Sequence, residues 1–386
     1  MEQGGFVTAK ETAAEAFSEV EHELRDLSRW MYENPETAHE ERETSAKIVE
    51  LLDAKGFTLE YPAYGLDTAF AARVGTSGPE VVICCELDAL PEVGHACGHN
   101  IIATAAAGAG VALVPLADEL GIRVTVLGTP AEEMYGGKVD LINNGAWSDA
   151  AASIMIHPSN NDVADRDFLA IAHITVEFHG KASHASSEPQ LGVNALDAAV
   201  QAYVNVSTLR QSLYPTDKTH GTITYGGGAP NVIPEYTKLS WYIRALDAER
   251  LEEVYAKVVA CFDAAAVATG CRVEIKPIGH PYTNIVPNPL MADLYVANSE
   301  ALGRPMQRGD EFDPAGAGST DMGNVSYEVP SLHPMLSIHA EPHTNHQREF
   351  AAHTLTPHGE AAIRDGALGM AWTIIDLAEG DRWSDL

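Results

Sequence analysis

The chain has 386 residues, more than the roughly 250–300 that one hydrophobic core usually serves, so two domains are expected. Hydrophobic residues make up 45% and charged residues 20% of it, which is the composition of an ordinary globular enzyme and not of a disordered chain. The formal net charge of -31 argues against nucleic acid and anionic membranes as partners, because phosphate groups bind to cationic surfaces.

The first residues, the longest apolar stretch and the cysteines together predict the cellular location of the protein. The N-terminus lacks the basic start and apolar run of a signal peptide, and the stretch 101–116 is shorter than the roughly 20 residues of a membrane helix. Five cysteines without regular spacing argue against a disulfide framework and favour a reducing compartment. We therefore expect a cytoplasmic protein with no membrane attachment.

The first part of the chain alternates helical and strand patterns. Helical periodicity runs through residues 11–55, with a break at Asn34-Pro35. Four buried strands then follow, AFAARV, VVICCEL, IRVTVLG and ASIMIH, separated by an Ala- and Gly-rich helix after His99 and by the helical KVDLINNGAW. Such alternation predicts a mostly parallel sheet covered by helices.

The pattern changes near residue 165. LAIAHITVEFHG alternates as an antiparallel edge strand does, and GTITYGG, TKLSWYIRAL and CRVEIKPIG are further strands, with helices at 195–209 and 249–266. This β-α-β-β-α-β order predicts a compact α+β domain. After Pro287 the α/β pattern returns and ends in a helix at 359–377. We therefore predict a discontinuous α/β catalytic domain of residues 1–165 and 282–386, with residues 166–281 inserted as a lid.

Metal-binding side chains follow three of the predicted strands. VVICCEL is followed by Asp88, His95, Cys97 and His99, IRVTVLG by Glu132 and Glu133, and ASIMIH ends at His157. Any one of them could serve only to cap a strand, but ligands bind beyond the carboxyl ends of parallel strands, where these residues would meet. A thiolate, imidazoles and a carboxylate suit zinc. The spare carboxylate of the Glu132-Glu133 pair is what hydrolysis adds to a structural site.

Five motifs in order then resemble a known family. ELDALPEVGHACGHN, GTPAEEMYGGK, IMIHPSN, GKASHASSEPQLGVNALDA and GSTDMGNVSYEVPSLHP are similar to the motif series of the di-zinc aminoacylase and carboxypeptidase family of metallopeptidases. The similarity is greatest to the branch of aminoacylase-1-like dipeptidases and aminobenzoyl-glutamate hydrolases. It implies a zinc-exopeptidase-like catalytic domain and an inserted lid through which two copies form a homodimer.

The resemblance also implies roles for individual residues. It places metal ligands at Cys97, His99, Glu133 and His157, and the general base at Glu132. A last histidine ligand is expected in HAEPHTNHQREF, where His346 has the expected spacing to Phe350 and His343 is the alternative. Two divalent ions are implied, zinc first, with manganese and cobalt as alternatives.

Three lid residues are implied to contact the substrate. His184 matches a histidine that donates a hydrogen bond to the developing oxyanion in the partner subunit. Asn231 and Arg244 match positions that hold the substrate carboxylate, which a guanidinium binds bidentately. On the residues alone, Arg244 could equally be a salt-bridge partner on a strand.

One motif departs from many relatives, which begin with a His-x-Asp pair where this chain has Glu86-Leu87-Asp88. Cys97 is expected to take over from the missing histidine, and Asp88 to orient a ligand imidazole. The departure leaves the number of metal ions open. His95 is expected to make a hydrogen bond within its loop.

The predicted function is metal-dependent hydrolysis of the amide bond of small N-acyl amino acids or dipeptides by a metal-held hydroxide. A dipeptidase or an aminobenzoyl-glutamate-type hydrolase is the alternative within enzymes, and an inactive metal-binding scaffold the alternative outside them. Both Glu132 and Glu133 are present, which speaks against the scaffold. No G-x-S-x-G nucleophile motif occurs.

Overall fold

The computed structural model describes residues 7–309 and 318–386. The helices are α1 (Ala9–Ser18), α2 (Glu21–Glu33), α3 (Arg42–Ala54), α4 (His99–Leu113), α5 (Gly137–Asn143), α6 (Ala195–Leu209), α7 (Ala248–Thr269), α8 (Pro289–Ala301), α9 (Met322–Glu328), α10 (Arg348–His353) and α11 (Pro357–Glu379). The strands are β1 (Thr58–Glu60), β2 (Phe70–Val74), β3 (Glu80–Glu86), β4 (Arg123–Thr129), β5 (Ala150–Ile154), β6 (His157–Ser159), β7 (Ala170–His179), β8 (Lys218–Tyr225), β9 (Tyr236–Ala245), β10 (Arg272–Pro277), β11 (Ser331–Leu332) and β12 (Met335–Ser337).

The described residues form two compact units. The first holds the chain up to Asp167, the stretch that begins at Ile285, and Asn324–Leu386. The second holds Phe168–Asn284 and the stretch that ends at Gly323. Within the described residues, no helix combines the length and apolar content that crossing a membrane requires.

The first unit is built on a six-stranded sheet in the order β1-β2-β4-β3-β5-β11. Its four strands β4, β3, β5 and β11 run parallel, β2 pairs antiparallel with β4, and the edge strand β1 pairs antiparallel with β2. All seven residues of β3 are buried, as a strand covered on both faces requires. The prediction of a mostly parallel α/β sheet is confirmed, although AFAARV, here β2, is an antiparallel member.

Helix α4 lies under this sheet, and its alanines and glycines allow the close approach. Every residue of α4 is buried. A Cβ on Gly110 would lie 2.4 Å from Val126 of β4, and one on Gly108 would lie 2.8 Å from Phe17 of α1. The helix is therefore packed between a helical layer and the sheet at distances that larger side chains do not permit.

The prediction of ASIMIH as one strand is wrong. Strand β5 ends at Ile154, and His157 begins the separate β6, which pairs with β12. The partner segment contains Pro334, which has no N–H to continue the ladder between β11 and β12, although its carbonyl accepts from the His157 N–H at 2.8 Å. His157 therefore starts a strand and does not end one.

The second unit has a four-stranded antiparallel sheet in the order β10-β7-β9-β8, with α6 and α7 packed on it in the predicted β-α-β-β-α-β sequence. LAIAHITVEFHG was expected as an edge strand, and this is wrong. Strand β7 pairs with β9 along its whole length on one side, and with β10 over residues 174–179 on the other. The alternation of apolar and polar residues in β7 reflects one face that packs on helices and one that is less covered, and an interior strand shows this pattern too.

Candidate metal centre

Four segments of the first unit deliver the polar cluster. The loop after β3 carries Cys97 and leads into α4 at His99, and the loop after β4 carries Glu132 and Glu133. His157 begins β6, and His346 lies just before α10 with φ at +71°. These are the metal-ligand positions and the base position expected from the sequence, and the structure brings their ligand atoms together.

The Cys97 sulfur is at the centre of the cluster. It lies 3.4 Å from His157 Nε2 and 3.7 Å from His346 Nε2. Two sets of three ligand atoms share it: Cys97 with His99 and His157, and Cys97 with Glu133 and His346, each set within 4.8 Å. A tetrahedral zinc ion with bonds of about 2.0–2.3 Å separates its ligands by roughly 3.3–3.7 Å, so each of the two distances fits Cys97 and that histidine as ligands of one ion.

Buried polar atoms point into this space without a partner. Among the described residues, His99 Nε2 and Glu133 Oε1 have no hydrogen-bond partner, although both are buried. Glu133 Oε1 lies 3.7 Å from His99 Nε2, and Glu133 Oε2 lies 3.5 Å from His346 Nε2. Leaving such atoms unsatisfied is costly in a folded protein, so their convergence fits a site for cations.

The two buried histidines present the nitrogen that a metal needs. His157 Nδ1 is 2.8 Å from the Pro158 carbonyl, which can only accept, so Nδ1 carries the proton and Nε2 faces Cys97. Burial lowers the pKa of His157 to about 4, which keeps the ring neutral. His99 Nδ1 lies 3.3 Å from Asp88 Oδ1, which leaves its Nε2 for the cluster, as expected for a carboxylate that orients a ligand.

The carboxylates around His99 favour a positive charge at this position. Burial works against charge on His99, but Glu86 and Asp88 raise the pKa of His99 well above its ordinary value. Burial, followed by the Glu133 carboxylate, raises the pKa of the Cys97 thiol well above its ordinary value, so a thiolate here requires a bound cation. The residues present therefore fit metal ions.

Asp88 also fixes the loop that presents Glu132 and Glu133. Its two oxygens accept from the backbone N–H groups of Glu132 and Glu133 at 3.1 and 3.0 Å. The preceding residue, Ala131, has φ at +61°, and its N–H donates to the buried Glu41 carboxylate at 3.0 Å. Sequence reasoning missed Glu41, since nothing in its surroundings in the sequence indicates this contact.

Gly98, between two candidate ligands, has a structural requirement. Its φ is +82°, in the left-handed region that favours glycine, and a Cβ would lie 2.8 Å from Pro158 Cγ. The spacing Cys97-Gly98-His99 thus lets a loop residue and the first residue of α4 face the same cluster.

The two candidate histidines near the C-terminus, His346 and His343, lie in different surroundings. His346 reaches the cluster, and its backbone N–H donates to the Ala96 carbonyl at 2.9 Å. His343 lies against His353 with ring centroids 6.2 Å apart and belongs to none of the ligand sets found among the described residues. The buried His95 also stays outside these sets, and the expected loop hydrogen bond to its ring is absent among the described residues.

Two of the three lid residues lie together in the second unit. His184 and Val232 form an antiparallel bridge, and the Ala185 N–H donates to the Asn231 carbonyl at 3.0 Å. Ser186 and Ser187 N–H groups both lie 3.2 Å from His184 Nδ1. Nδ1 is therefore the acceptor, and the exposed ring carries its proton on Nε2, as a donor to an oxyanion requires.

Arg244 lies apart from that pair, near the other end of β9. Its Nη1 donates to Ser319 Oγ at 2.7 Å, and burial lowers its pKa. Among the described residues it forms no ion pair with a carboxylate, in a chain that has 55 acidic residues. The structure therefore does not bring Asn231 and Arg244 together within one lid, and it leaves the guanidinium available for an anion.

Comparison with known proteins finds relatives of this chain. Over 382 residues the chain is 40% identical to the Xaa-Arg dipeptidase of Mus musculus, which covers 95% of this chain and 88% of that protein. A family model described as a peptidase dimerisation domain matches residues 170–270. A solved dinuclear metal-binding peptidase of the M20 family from Bacillus subtilis has the same fold, with a TM-score of 0.68, 18% identity and coverage of 93% of this chain and 99% of that one.

This chain belongs to the M20 family of metallopeptidases. Another relative is one of the subunits of the p-aminobenzoyl-glutamate hydrolase of Escherichia coli strain K12, 27% identical over 308 residues that cover 74% of this chain and 64% of that protein. Membership of the M20 family confirms the resemblance found in the motifs. It also confirms that the chain is a metal-dependent amide hydrolase with an α/β fold.

Proposed function

We propose that the protein is a dipeptidase that holds two divalent metal ions, zinc first, in the cluster around Cys97. The observation that carries the proposal is the Cys97 sulfur shared by two sets of ligand atoms, with Glu132 beside them as a further carboxylate. In this assignment His99 and His157 complete one ion site, and Glu133 and His346 complete the other. Manganese and cobalt remain alternatives, since imidazole and carboxylate bind them too.

Charge balance supports two ions. The cluster contains four carboxylates, those of Glu86, Asp88, Glu132 and Glu133. Once a metal is bound, it also contains the thiolate of Cys97. The buried Lys138 ammonium pairs with Glu86 and leaves a net charge of about -4, if the histidines are neutral. Buried charge must be compensated, and two divalent cations supply about +4.

The bound ions, Glu132 and Asp88 have different roles in the proposed hydrolysis. Bound ions would polarise the amide carbonyl and acidify the attacking water. Glu132 is buried, with a carboxylate oxygen 3.9 Å from His99 Nε2. From there Glu132 takes the proton of the water and passes it to the leaving amine. The backbone N–H of Glu132 donates to the Asp88 carboxylate, which holds Glu132 in place.

The geometry of the second unit supports a homodimer. Asn231 precedes β9 and Arg244 is next to its last residue. Eight residues of strand separate Tyr236 from Arg244, which is about 26 Å at 3.3 Å per residue. A dipeptide does not span this distance, so His184 and Asn231 act on the same substrate as Arg244 only if they come from a second copy. Arg244 then binds the free carboxylate, and His184 Nε2–H steadies the oxyanion.

The substrate proposal follows the relatives. The relative with 40% identity is named for dipeptides that end in arginine, so we propose dipeptides with a basic carboxyl-terminal residue. Aminobenzoyl-glutamate is the second candidate, supported by the relative with 27% identity. A cytoplasmic location is supported by the five cysteines, all of which are free thiols.

The test is a substrate panel with zinc-reconstituted enzyme and its Glu132→Gln variant. We expect Xaa-Arg dipeptides to be hydrolysed faster than aminobenzoyl-glutamate or acetyl-amino acids, and a chelator to abolish turnover. Glu132→Gln should retain its metal and lose turnover by at least roughly a thousandfold. A wild-type protein that binds zinc without any chelator-sensitive hydrolysis would be a scaffold and not an enzyme.

A further inference from the structure

A buried ion pair lies behind the metal cluster. Lys138, in the first turn of α5, has its Nζ 2.5 Å from Oε1 of Glu86, the last residue of β3. Neither side chain is exposed at all. Burying such a pair gains little stability over apolar side chains of the same volume, because both ions lose their hydration. Its presence inside the sheet and helix layers therefore calls for another reason.

The second oxygen of Glu86 supplies that reason. Oε2 is 3.3 Å from His99 Nε2 and has no hydrogen-bond partner among the described residues, although it is buried. Since His99 Nδ1 faces Asp88, the imidazole lies between two carboxylates. Oε2 thus lies beside the nitrogen that faces the cluster, and the ligand atoms of Glu86, His99 and Glu132 lie within 4.8 Å of one another.

We propose that Glu86 is a positioning residue of the metal centre and that Lys138 is the counter-ion that holds it there. The Lys138 ammonium occupies one carboxylate oxygen, which fixes the other beside His99. The pair is neutral overall, but its negative end is nearer the cluster, so it attracts a cation bound to His99. The proposal depends on the metal centre described above and assigns the motif Glu86-Leu87-Asp88 two carboxylates, one on each side of His99.

A purely structural ion pair makes a different prediction. If Lys138 and Glu86 only packed the interior, the isosteric neutral pair Glu86→Gln with Lys138→Met would leave metal affinity unchanged. If the pair positions the centre, the same double variant weakens metal binding, even when it folds as well as the wild type. The double variant is the decisive one because it removes both charges of the Lys138–Glu86 ion pair together.

The experiment measures zinc affinity by competition with a chromogenic chelator, and the unfolding temperature of the metal-free protein as a check on folding. For Glu86→Gln/Lys138→Met we expect the affinity for one of the two zinc ions, the one that His99 binds, to fall about tenfold to a hundredfold, the usual loss when a residue that supports a ligand is removed. Glu86→Gln alone should lose more, since the positive charge of Lys138 is kept while the negative charge of Glu86 is removed, and the ammonium then repels the cation. Lys10→Met/Asp376→Asn removes the Lys10–Asp376 pair between α1 and α11 and should leave the affinity unchanged.

A double variant that binds both ions as tightly as the wild type would overturn the proposal. A loss of affinity of the same size in the Lys10–Asp376 control would do so as well, since the effect would then not be specific to Glu86. The proposed function fails on a different result, a wild type that binds fewer than two ions or shows no chelator-sensitive hydrolysis.

Discussion

Glu41→Gln should change how the stability of the metal-free protein depends on pH. Glu41 is completely buried at the start of α3, where its carboxyl group accepts from the Ala131 N–H at 3.0 Å and from Thr68 Oγ1 at 2.9 Å. Burial, with the nearby Asp88 charge, raises the pKa of Glu41 from 4.5 to about 7. Glutamine resembles the protonated acid and keeps an oxygen for Ala131.

The sign and size follow from the two pKa values. Between pH 4.5 and about 7 the folded state holds a proton on Glu41 that the unfolded state has lost. The stability that this carboxyl group contributes is complete below pH 4.5 and is lost as pH rises through about 7. The difference between the two values corresponds to roughly 3 kcal/mol at pH 8. Glutamine does not lose a proton, so the variant avoids this loss.

Urea unfolding of the chelated wild type and Glu41→Gln from pH 5 to pH 8 measures this difference directly. Groups other than Glu41 titrate in both proteins, so their effects cancel in the comparison. We expect the two free energies of unfolding to be similar near pH 5, and the variant to be more stable by up to about 3 kcal/mol at pH 8. A difference that stays constant over this range would refute the assignment of a protonated Glu41.

Three further predictions concern the metal centre and the second unit. Gly98→Ala should weaken zinc binding and cost at least about 1–2 kcal/mol in urea unfolding, because its φ of +82° is left-handed and the new methyl would meet Pro158; an unchanged zinc affinity would contradict this. Arg244→Lys should raise KM for substrates with a free carboxylate with little change for their amides, whereas Arg210→Lys, elsewhere in the lid, should change neither. Mixing chains with His184→Ala and chains with Arg244→Ala should restore part of the turnover, since one site of each mixed dimer has both residues; no recovery would contradict a shared site.

The positions of the cluster were predictable because they follow the ends of strands. Cys97, His99 and Glu133 come after β3 and β4, so the parallel sheet alone brings them to one edge. His157 reaches the same place by another route, since Pro334, in a segment distant in sequence, interrupts the ladder and makes His157 the start of β6. A local pattern does not contain that information.

The charges behind the cluster were not predictable. A glutamate at the end of the apolar run VVICCE indicates that Glu86 needs a counter-ion, but Lys138 lies 52 residues later, in a short helix. Strand β7 shows a related limit. Its alternation gives the two faces of the strand correctly but not its neighbours, which depend on how β9 and β10 pair.

The most direct test of the metal centre is the zinc content per chain after reconstitution, measured for the wild type and for His157→Ala, His346→Ala and His343→Ala. We expect two zinc ions in the wild type and in His343→Ala, and one in each of the other two variants, because His157 and His346 belong to different sets of ligands around Cys97. One ion in the wild type, or two ions retained in both His157→Ala and His346→Ala, would contradict a centre of two ions that share the Cys97 sulfur.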